Sequence, residues 1–330
     1  MSETKNLFIP GYYVESHKNV KIKLIESFNY LCSLIDEIID KDTLDSCKNK
    51  LYTINVAQES ISGYAHALHT YLIDYIENKS LDKITTLIQE LEKSELLIYD
   101  LKIYGFDPNS LGSHKFELYK DIFLQDDKYK MSFNNPSKKN ERQAKEKIST
   151  ALLLIKQADK NLYNEIIKLV TEIILFENNT TNVASSGTSF NCYGTIFIAC
   201  NIIDSIPFYI EAIVHEAAHL YLFLIVLEDS IVLNPESERY PAPLRKDMRP
   251  MMGIYHATFV IARILYAFNS LLKTLPLSHE IYEELKQRRD GHTINFQRGI
   301  NVISQYGRLT NQGKGILFDA ANTLNIKINL

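Results

Sequence analysis

The chain has 330 residues, of which 45% are hydrophobic and 23% are charged, and its formal net charge is −4. This composition is typical of a globular protein with one large domain or two modest ones. A net negative charge provides no basic field that would attract nucleic acid or an anionic membrane, so we expect neither as a partner.

The N-terminal residues Met1–Asn6 are polar and have no apolar segment behind them, so they do not resemble a secretory signal. No apolar window reaches transmembrane length without a charge or one of the motif histidines described below. We therefore expect a soluble, cytoplasmic protein.

None of the four cysteines has C-x-x-C spacing, so neither a zinc ribbon nor a redox pair is indicated. The cysteines are predicted to be small buried hydrophobic residues.

Apolar residues recur at intervals of three and four in the first half of the chain, which predicts amphipathic helices. The predicted helices cover residues 20–39, 43 to about 76, and 81–98. Between Tyr104 and Gln143 the periodicity fails and turn-forming residues are frequent, so we predict a loop there. The loop suggests a boundary between a helical N-terminal lobe (1–140) and a helical metal-site domain (141–330). His66 and His69 have no accompanying carboxylate or cysteine and are predicted to be core or surface histidines.

The second half begins with a predicted long helix from Glu141 to about Leu175. A short β-branched run, Gly194–Cys200, predicts a strand. Further helices are predicted through Ile206–Leu227, from about Met251, and over 278–289, 294–306 and 312–324, with His292 at a turn between two of them. The predicted fold class is therefore mainly α, with a small β element beside a zincin-like metal-binding helix.

The apolar run Ile206–Leu227 contains the motif His215-Glu216-Ala217-Ala218-His219, an H-E-x-x-H. At helical spacing the two histidines lie one turn apart on one face, where two imidazoles can bind one metal ion. Metal ligation also explains how polar side chains are accommodated in an apolar helix. The alternative, in which they are core histidines bonded to backbone carbonyls, is less favoured.

A catalytic metal usually has three protein ligands and open positions. The metzincin extension is excluded, because Leu222 and Ile225 occupy the positions of its glycine and histidine. His256, in the following apolar helix, is the favoured third ligand. A loop carboxylate is the alternative, and the candidates are Glu228, Asp229, Glu236, Glu238 and Asp247. Arg263 lies two turns after His256 on the same face, where a cation requires an anionic partner.

The strand that precedes the motif has two possible roles. In zincin-type metal enzymes, an edge strand at this position pairs with an extended peptide substrate and lays it across the metal. The strand Gly194–Cys200 could equally well cover the core without contacting any substrate.

The motif together with the pattern P-L-R-x-D-x-R-P-x-x-G-x-x-H-A-x-F-V-x-x-R, from Pro243 to Arg263, resembles the HExxH peptide-modification family of ribosomally made peptides. The resemblance covers roughly residues 183–264. It implies an iron(II)- and 2-oxoglutarate-dependent hydroxylase that acts on a side-chain β-carbon of a precursor peptide. It also implies His215, His219 and His256 as metal ligands, and Arg245, Arg249 or Arg263 as partners of the oxoglutarate carboxylates.

Two alternatives use the same residues differently. In a zinc metallopeptidase, Glu216 is the general base that activates a metal-bound water. In a binding module, a degenerate metal fold recognises a leader peptide without turnover. In the hydroxylase, by contrast, the arginines are indispensable and Glu216 only orders a water or orients a ligand.

Overall fold

The structure is a computed structural model, and it describes residues 6–11, 14–124, 134–179, 185–242 and 247–329. Helices dominate these residues and the strands are short, which confirms the predicted, mainly α fold class. The helices are α1 (Val14–Leu34), α2 (Lys41–Val56), α3 (Gly63–Glu77), α4 (Leu81–Lys93), α5 (Pro108–Leu111), α6 (Ser113–Leu124), α7 (Lys138–Ala158), α8 (Lys160–Leu169), α9 (Ile206–Glu228), α10 (Met251–Thr274), α11 (His279–Tyr306) and α12 (Asn311–Thr323).

The strands form three small sheets among the described residues. They are β1 (Ser60–Ile61), β2 (Leu97–Ile98), β3 (Lys102–Gly105), β4 (Glu172–Phe176), β5 (Ser186–Thr188), β6 (Thr195–Ala199), β7 (Tyr240–Pro241) and β8 (Met248–Arg249). The largest sheet has the order β3-β4-β6-β5, in which β3, β4 and β6 are parallel and β5 is antiparallel to β6. The other two sheets are the antiparallel pairs β1-β2 and β7-β8.

The chain forms two compact units, and both are discontinuous in sequence. Unit 1 consists of Met1–Val14, Glu146–Ile166 and Ser205–Leu330, and unit 2 consists of Glu15–Lys145 and Ile167–Asp204. The prediction from sequence differs from this division, because it placed one boundary at residue 140 between two continuous lobes. A pattern read along the chain cannot show that distant segments share one core.

Unit 2 contains the four-stranded sheet and the helices of the first half of the chain. Every residue of β4 and β6 is buried, as expected for parallel strands covered on both faces. The predicted strand at Gly194–Cys200 is confirmed as β6. Its possible role as a substrate-binding edge strand is wrong, because β6 is hydrogen-bonded to β4 on one side and β5 on the other.

Unit 1 contains α9, α10, α11 and α12. Helices α10 and α11 approach closely where Gly299 faces Thr258, since a Cβ atom built on Gly299 would lie 2.2 Å from Thr258 Oγ1. Helices α9 and α10 are long and apolar enough to cross a membrane, but 67% and 72% of their apolar windows are buried inside the protein. Their apolar character is therefore that of core helices.

Five predictions differ from the structure. The predicted helix from 43 to about 76 is in fact α2, the strand β1 and α3, and the predicted helix 81–98 ends at Lys93 and is followed by β2. The predicted loop over 104–143 contains α6, whose apolar residues pack in the core of unit 2. The predicted helix 141–175 is in fact α7, α8 and the strand β4; Asp159 Oδ1 caps the start of α8 by accepting from the N–H groups of Asn161 and Leu162. The two helices predicted over 278–306 are one helix, α11, because a helix tolerates an isolated glycine such as Gly291 at a cost of about 1 kcal/mol.

Candidate metal centre

Helix α9 carries the H-E-x-x-H motif, and its sequence explains where it begins. The Ser205 side chain accepts a hydrogen bond from Phe208 N at 3.2 Å, and Pro207 lies in the first turn, where its missing N–H costs nothing. Apolar residues occupy nearly the whole circumference of the helix, as in helices buried on all sides. His215 and His219 are therefore fixed to a rigid element of unit 1.

The two motif histidines point their ring nitrogens at each other. His215 Nε2 lies 3.0 Å from His219 Nε2. Two imidazole nitrogens that bind one metal ion at about 2.1 Å each, at a right angle, are about 3.0 Å apart. The separation of the two nitrogens therefore fits two adjacent ligands of a single metal ion.

Glu216 completes a compact group with these histidines. One ligand atom from each of His215, Glu216 and His219 lies within 4.8 Å of the others, and Glu216 Oε1 is 3.9 Å from His215 Nε2. Glu216 is 1% exposed, whereas both histidines are half-buried. A substrate or solvent molecule can therefore reach the imidazoles while the carboxylate is kept away from bulk water.

His256 reaches the site from α10 but contacts a different atom of His219. Its Nε2 lies 2.8 Å from His219 Nδ1, and it packs edge-on against Phe223. The group within 4.8 Å does not include His256. In this arrangement His256 holds the ring orientation of His219, and the Nε2 atom of His256 is not among the ligand atoms grouped at His215, Glu216 and His219.

Burial keeps all three imidazoles neutral, which is the form that binds metal. It lowers the pKa of His215 to about 4 and that of His256 to about 4. Burial also lowers the pKa of His219 well below its usual value, and the neighbouring histidines lower it further. At neutral pH the imidazoles carry no extra proton, and metal binding requires only that the remaining N–H of His215 and of His219 be on Nδ1.

The three arginines proposed for the oxoglutarate carboxylates have different positions. Arg245 lies outside the described residues. Arg263 is 1% exposed and forms a buried ion pair with Glu165, and it also donates to the Phe8 carbonyl at 2.5 Å. This ion pair argues against the predicted cofactor contact, because the charge of Arg263 is already compensated inside unit 1.

Arg249 is the remaining described candidate. Its side chain is 26% exposed and its Nε lies 2.6 Å from Asp247 Oδ2, an oxygen of a carboxylate that is 55% exposed. Surface ion pairs of this kind contribute about 0–1 kcal/mol. An anionic ligand can therefore replace Asp247 at small cost.

The loop carboxylates considered as alternative ligands have other partners or stay in solvent. Glu238 accepts from Tyr240 and from Arg308, and Asp247 pairs with Arg249. Glu228, Asp229 and Glu236 are exposed.

His66 and His69 belong to unit 2, where His66 packs against Tyr193 and His69 bonds to Ser27 Oγ at 2.7 Å.

A cluster that the sequence analysis missed lies on the same face of α9. Glu211, one turn before His215, has Oε1 3.1 Å from His292 Nε2 and Oε2 3.0 Å from Arg288 NH1. The prediction that His292 lies in a turn is wrong, because the residue is inside α11 with a side chain only 18% exposed. The available sequence signal was the i, i+4 spacing of Glu211 and His215, which places both on one face of a helix but does not indicate the partners on α11.

No protein-family model matches the chain, and no curated protein matches it.

Proposed function

We propose that this protein is a metal-dependent enzyme that acts on a peptide, with its metal bound by His215 and His219. The observation that carries the proposal is the 3.0 Å separation of the two Nε2 atoms on one face of α9. Half-buried, neutral imidazoles next to a buried carboxylate are typical of a catalytic site, since a structural metal site is closed to solvent.

Within this class we propose an iron(II)- and 2-oxoglutarate-dependent hydroxylase of a side-chain β-carbon in a ribosomally made precursor peptide. Iron(II) with 2-oxoglutarate and dioxygen supplies the oxidation of a C–H bond. His215 and His219 hold the metal, and His256 either orients His219 or becomes a third ligand. Arg249 binds a carboxylate of the keto acid through a guanidinium whose ionic partner among the described residues is the exposed Asp247.

We expect the apolar residues of α9 and α10 to limit the access of water once a substrate covers the half-buried histidines. Leu220 and Phe259 are fully buried on these two helices. Most of the apolar windows of α9 and α10 are buried inside unit 1, which favours core helices over membrane spans, and the cytoplasmic location stays a prediction. The resemblance of the motif region to the peptide-modification family supports the choice of substrate.

Zinc metallopeptidase is the second candidate, and the position of Glu216 favours it. Glu216 is buried with Oε1 3.9 Å from His215 Nε2, so it would be the carboxylate beside a metal held by the two histidines, and a zinc ion there would supply an activated water for it to deprotonate. In that enzyme Glu216 is essential and Arg249 is dispensable.

One experiment separates the two candidates. Metal-free protein is loaded with iron(II) without oxygen, 2-oxoglutarate is added, and the visible charge-transfer band of a chelated keto acid is recorded. The hydroxylase gives a band that is lost in His219→Ala, weakened in Arg249→Met and kept in Glu216→Gln. Absence of the band, with zinc-dependent peptide cleavage that Glu216→Gln abolishes, overturns the hydroxylase in favour of the peptidase.

A further inference from the structure

The strongest unassigned feature of unit 1 is the cluster around Glu211, between α9 and α11. Both carboxylate oxygens of Glu211 have a donor, His292 Nε2 at 3.1 Å and Arg288 NH1 at 3.0 Å. Arg288 in turn contacts Glu284 at 2.8 Å, and Glu284 accepts from Ser205 Oγ at 2.7 Å. These contacts fix the Glu211 side chain in one position.

The carboxylate of Glu211 stays ionised in this environment. Burial alone would raise its pKa, but the hydrogen bond from His292 and the charge of Arg288 lower the pKa below its usual value. An ionised carboxylate only accepts hydrogen bonds, so the nitrogen that faces it, His292 Nε2, carries a proton. In the neutral imidazole with this proton, the other ring nitrogen, Nδ1, is an acceptor.

His292 Nδ1 is buried and has no hydrogen-bond partner within the described part of the chain. A buried acceptor without a donor costs free energy, and the described residues supply no donor for this one. Two neighbours hold the ring in place, since Glu211 fixes one edge and the Phe268 ring lies 6.1 Å away. A histidine oriented by a carboxylate and left with one open nitrogen has the arrangement of a general acid–base dyad.

The dyad lies close to the candidate metal centre. Glu211 precedes His215 by one helical turn on the same face of α9, and α11 packs along both helices that carry the metal-centre histidines. The charge of Glu211 raises the pKa of His215 against the larger, opposite effect of burial. The two sites therefore share one environment.

We propose that Glu211 and His292 form an acid–base dyad that acts on a group bound at the metal centre, with His292 Nδ1 as the atom that accepts the proton. This rests on the proposed metal centre. A proton from an O–H or N–H of the bound group passes to Nδ1, the donor atom keeps the electron pair, and the imidazolium is balanced by the Glu211 carboxylate. Arg288 is a positioning residue that holds Glu211.

The test uses the full chain with ¹⁵N-labelled histidine and long-range ¹H–¹⁵N spectra, in which the His292 signals are those missing from His292→Gln. Zinc is added as the probe, and metal content is measured in the same samples. We expect His292 to carry its proton on Nε2 in metal-free protein. Zinc should then shift the Nδ1 resonance upfield, as a water bound to the metal donates to it.

Glu211→Gln should remove the fixed tautomer and the zinc-induced shift, while zinc content stays at the wild-type level. Glu284→Gln is the matched control, because it removes the other carboxylate on Arg288 and leaves the bond to His292. Glu211→Asp replaces Glu211→Gln if circular dichroism shows that the latter is unfolded. Its shorter side chain should also lose the shift.

The outcomes distinguish the two proposals. A proton on Nδ1 in the wild type, or zinc that binds without moving the His292 signals, overturns the dyad and leaves the metal centre intact. Protein that takes up no zinc overturns the metal centre itself, and the role of the dyad with it.

Discussion

Replacing Arg263 by methionine tests whether this residue belongs to the core of unit 1 or to the site. The substitution leaves the Glu165 carboxylate, 1% exposed, without its cationic partner and the Phe8 carbonyl without its donor. Removing one member of a buried ion pair typically costs about 3–5 kcal/mol. The unpaired carbonyl alone costs about 1–3 kcal/mol, and because such terms are not additive we expect a total of about 4 kcal/mol.

The assay is urea unfolding of metal-free protein followed by far-UV circular dichroism, since the chain has no tryptophan. Glu165→Leu in the Arg263→Met background should recover most of the loss, because an apolar pair of similar volume can replace a buried ion pair. Arg289→Met is the matched control: its pair with Asp290 is partly exposed and should contribute no more than about 1 kcal/mol. A loss below 1 kcal/mol in Arg263→Met, together with a lost keto-acid band, would refute the structural role and restore the predicted cofactor contact.

Three further predictions follow from unit 1. His219→Ala should abolish stoichiometric metal binding, measured by mass spectrometry of the metal content, while the exposed His279→Ala on α11 should leave it unchanged. Metal-free protein should lose stability as pH falls from about 7 toward 4, because unfolded histidines with a pKa of about 6.5 take up protons that the buried, low-pKa imidazoles of the site do not. A thermal midpoint independent of pH over this range would contradict those lowered pKa values. Gly299→Ala should destabilise the protein by about 1–3 kcal/mol by pressing a methyl group against Thr258, whereas Gly291→Ala on the same helix meets nothing within 4 Å and should stabilise it by about 0.5–1 kcal/mol. Equal effects of the two substitutions in urea unfolding would contradict the close approach of α10 and α11.

The parts of the fold that sequence could predict are those decided locally. Helix α9 was predictable because its apolar run, its Ser205 cap and its Pro207 agree along one stretch of chain. Strand β4 was missed because the apolar run Ile173–Leu175 looks the same in a buried helix as in a buried strand. Only its pairing with β3 and β6, which come from other parts of the chain, decides between the two.

The same limit applies to the candidate site. Helix geometry places the two histidines of H-E-x-x-H one turn apart on one face, so their sequence spacing alone predicted that they lie close together. The partner of Arg263 and the partner of His292 both come from distant segments, and a charged residue in a sequence does not show which opposite charge it will meet. For Arg263 the sequence indicated that an anionic partner is needed but not that Glu165 supplies it. For His292 the neighbouring glycine indicated a turn, which is wrong.

The discontinuity of unit 1 has a consequence for synthesis on the ribosome. Its N-terminal segment is anchored at Phe8 by Arg263, a residue of α10, and Tyr221 OH on α9 donates to the Leu7 carbonyl. All of unit 2 is translated between these contacting parts, so the first residues of the chain emerge long before the helices that bind them. Unit 2 can complete its own core while the nascent chain is still growing, whereas the early apolar residues of unit 1 must wait for α9 and α10.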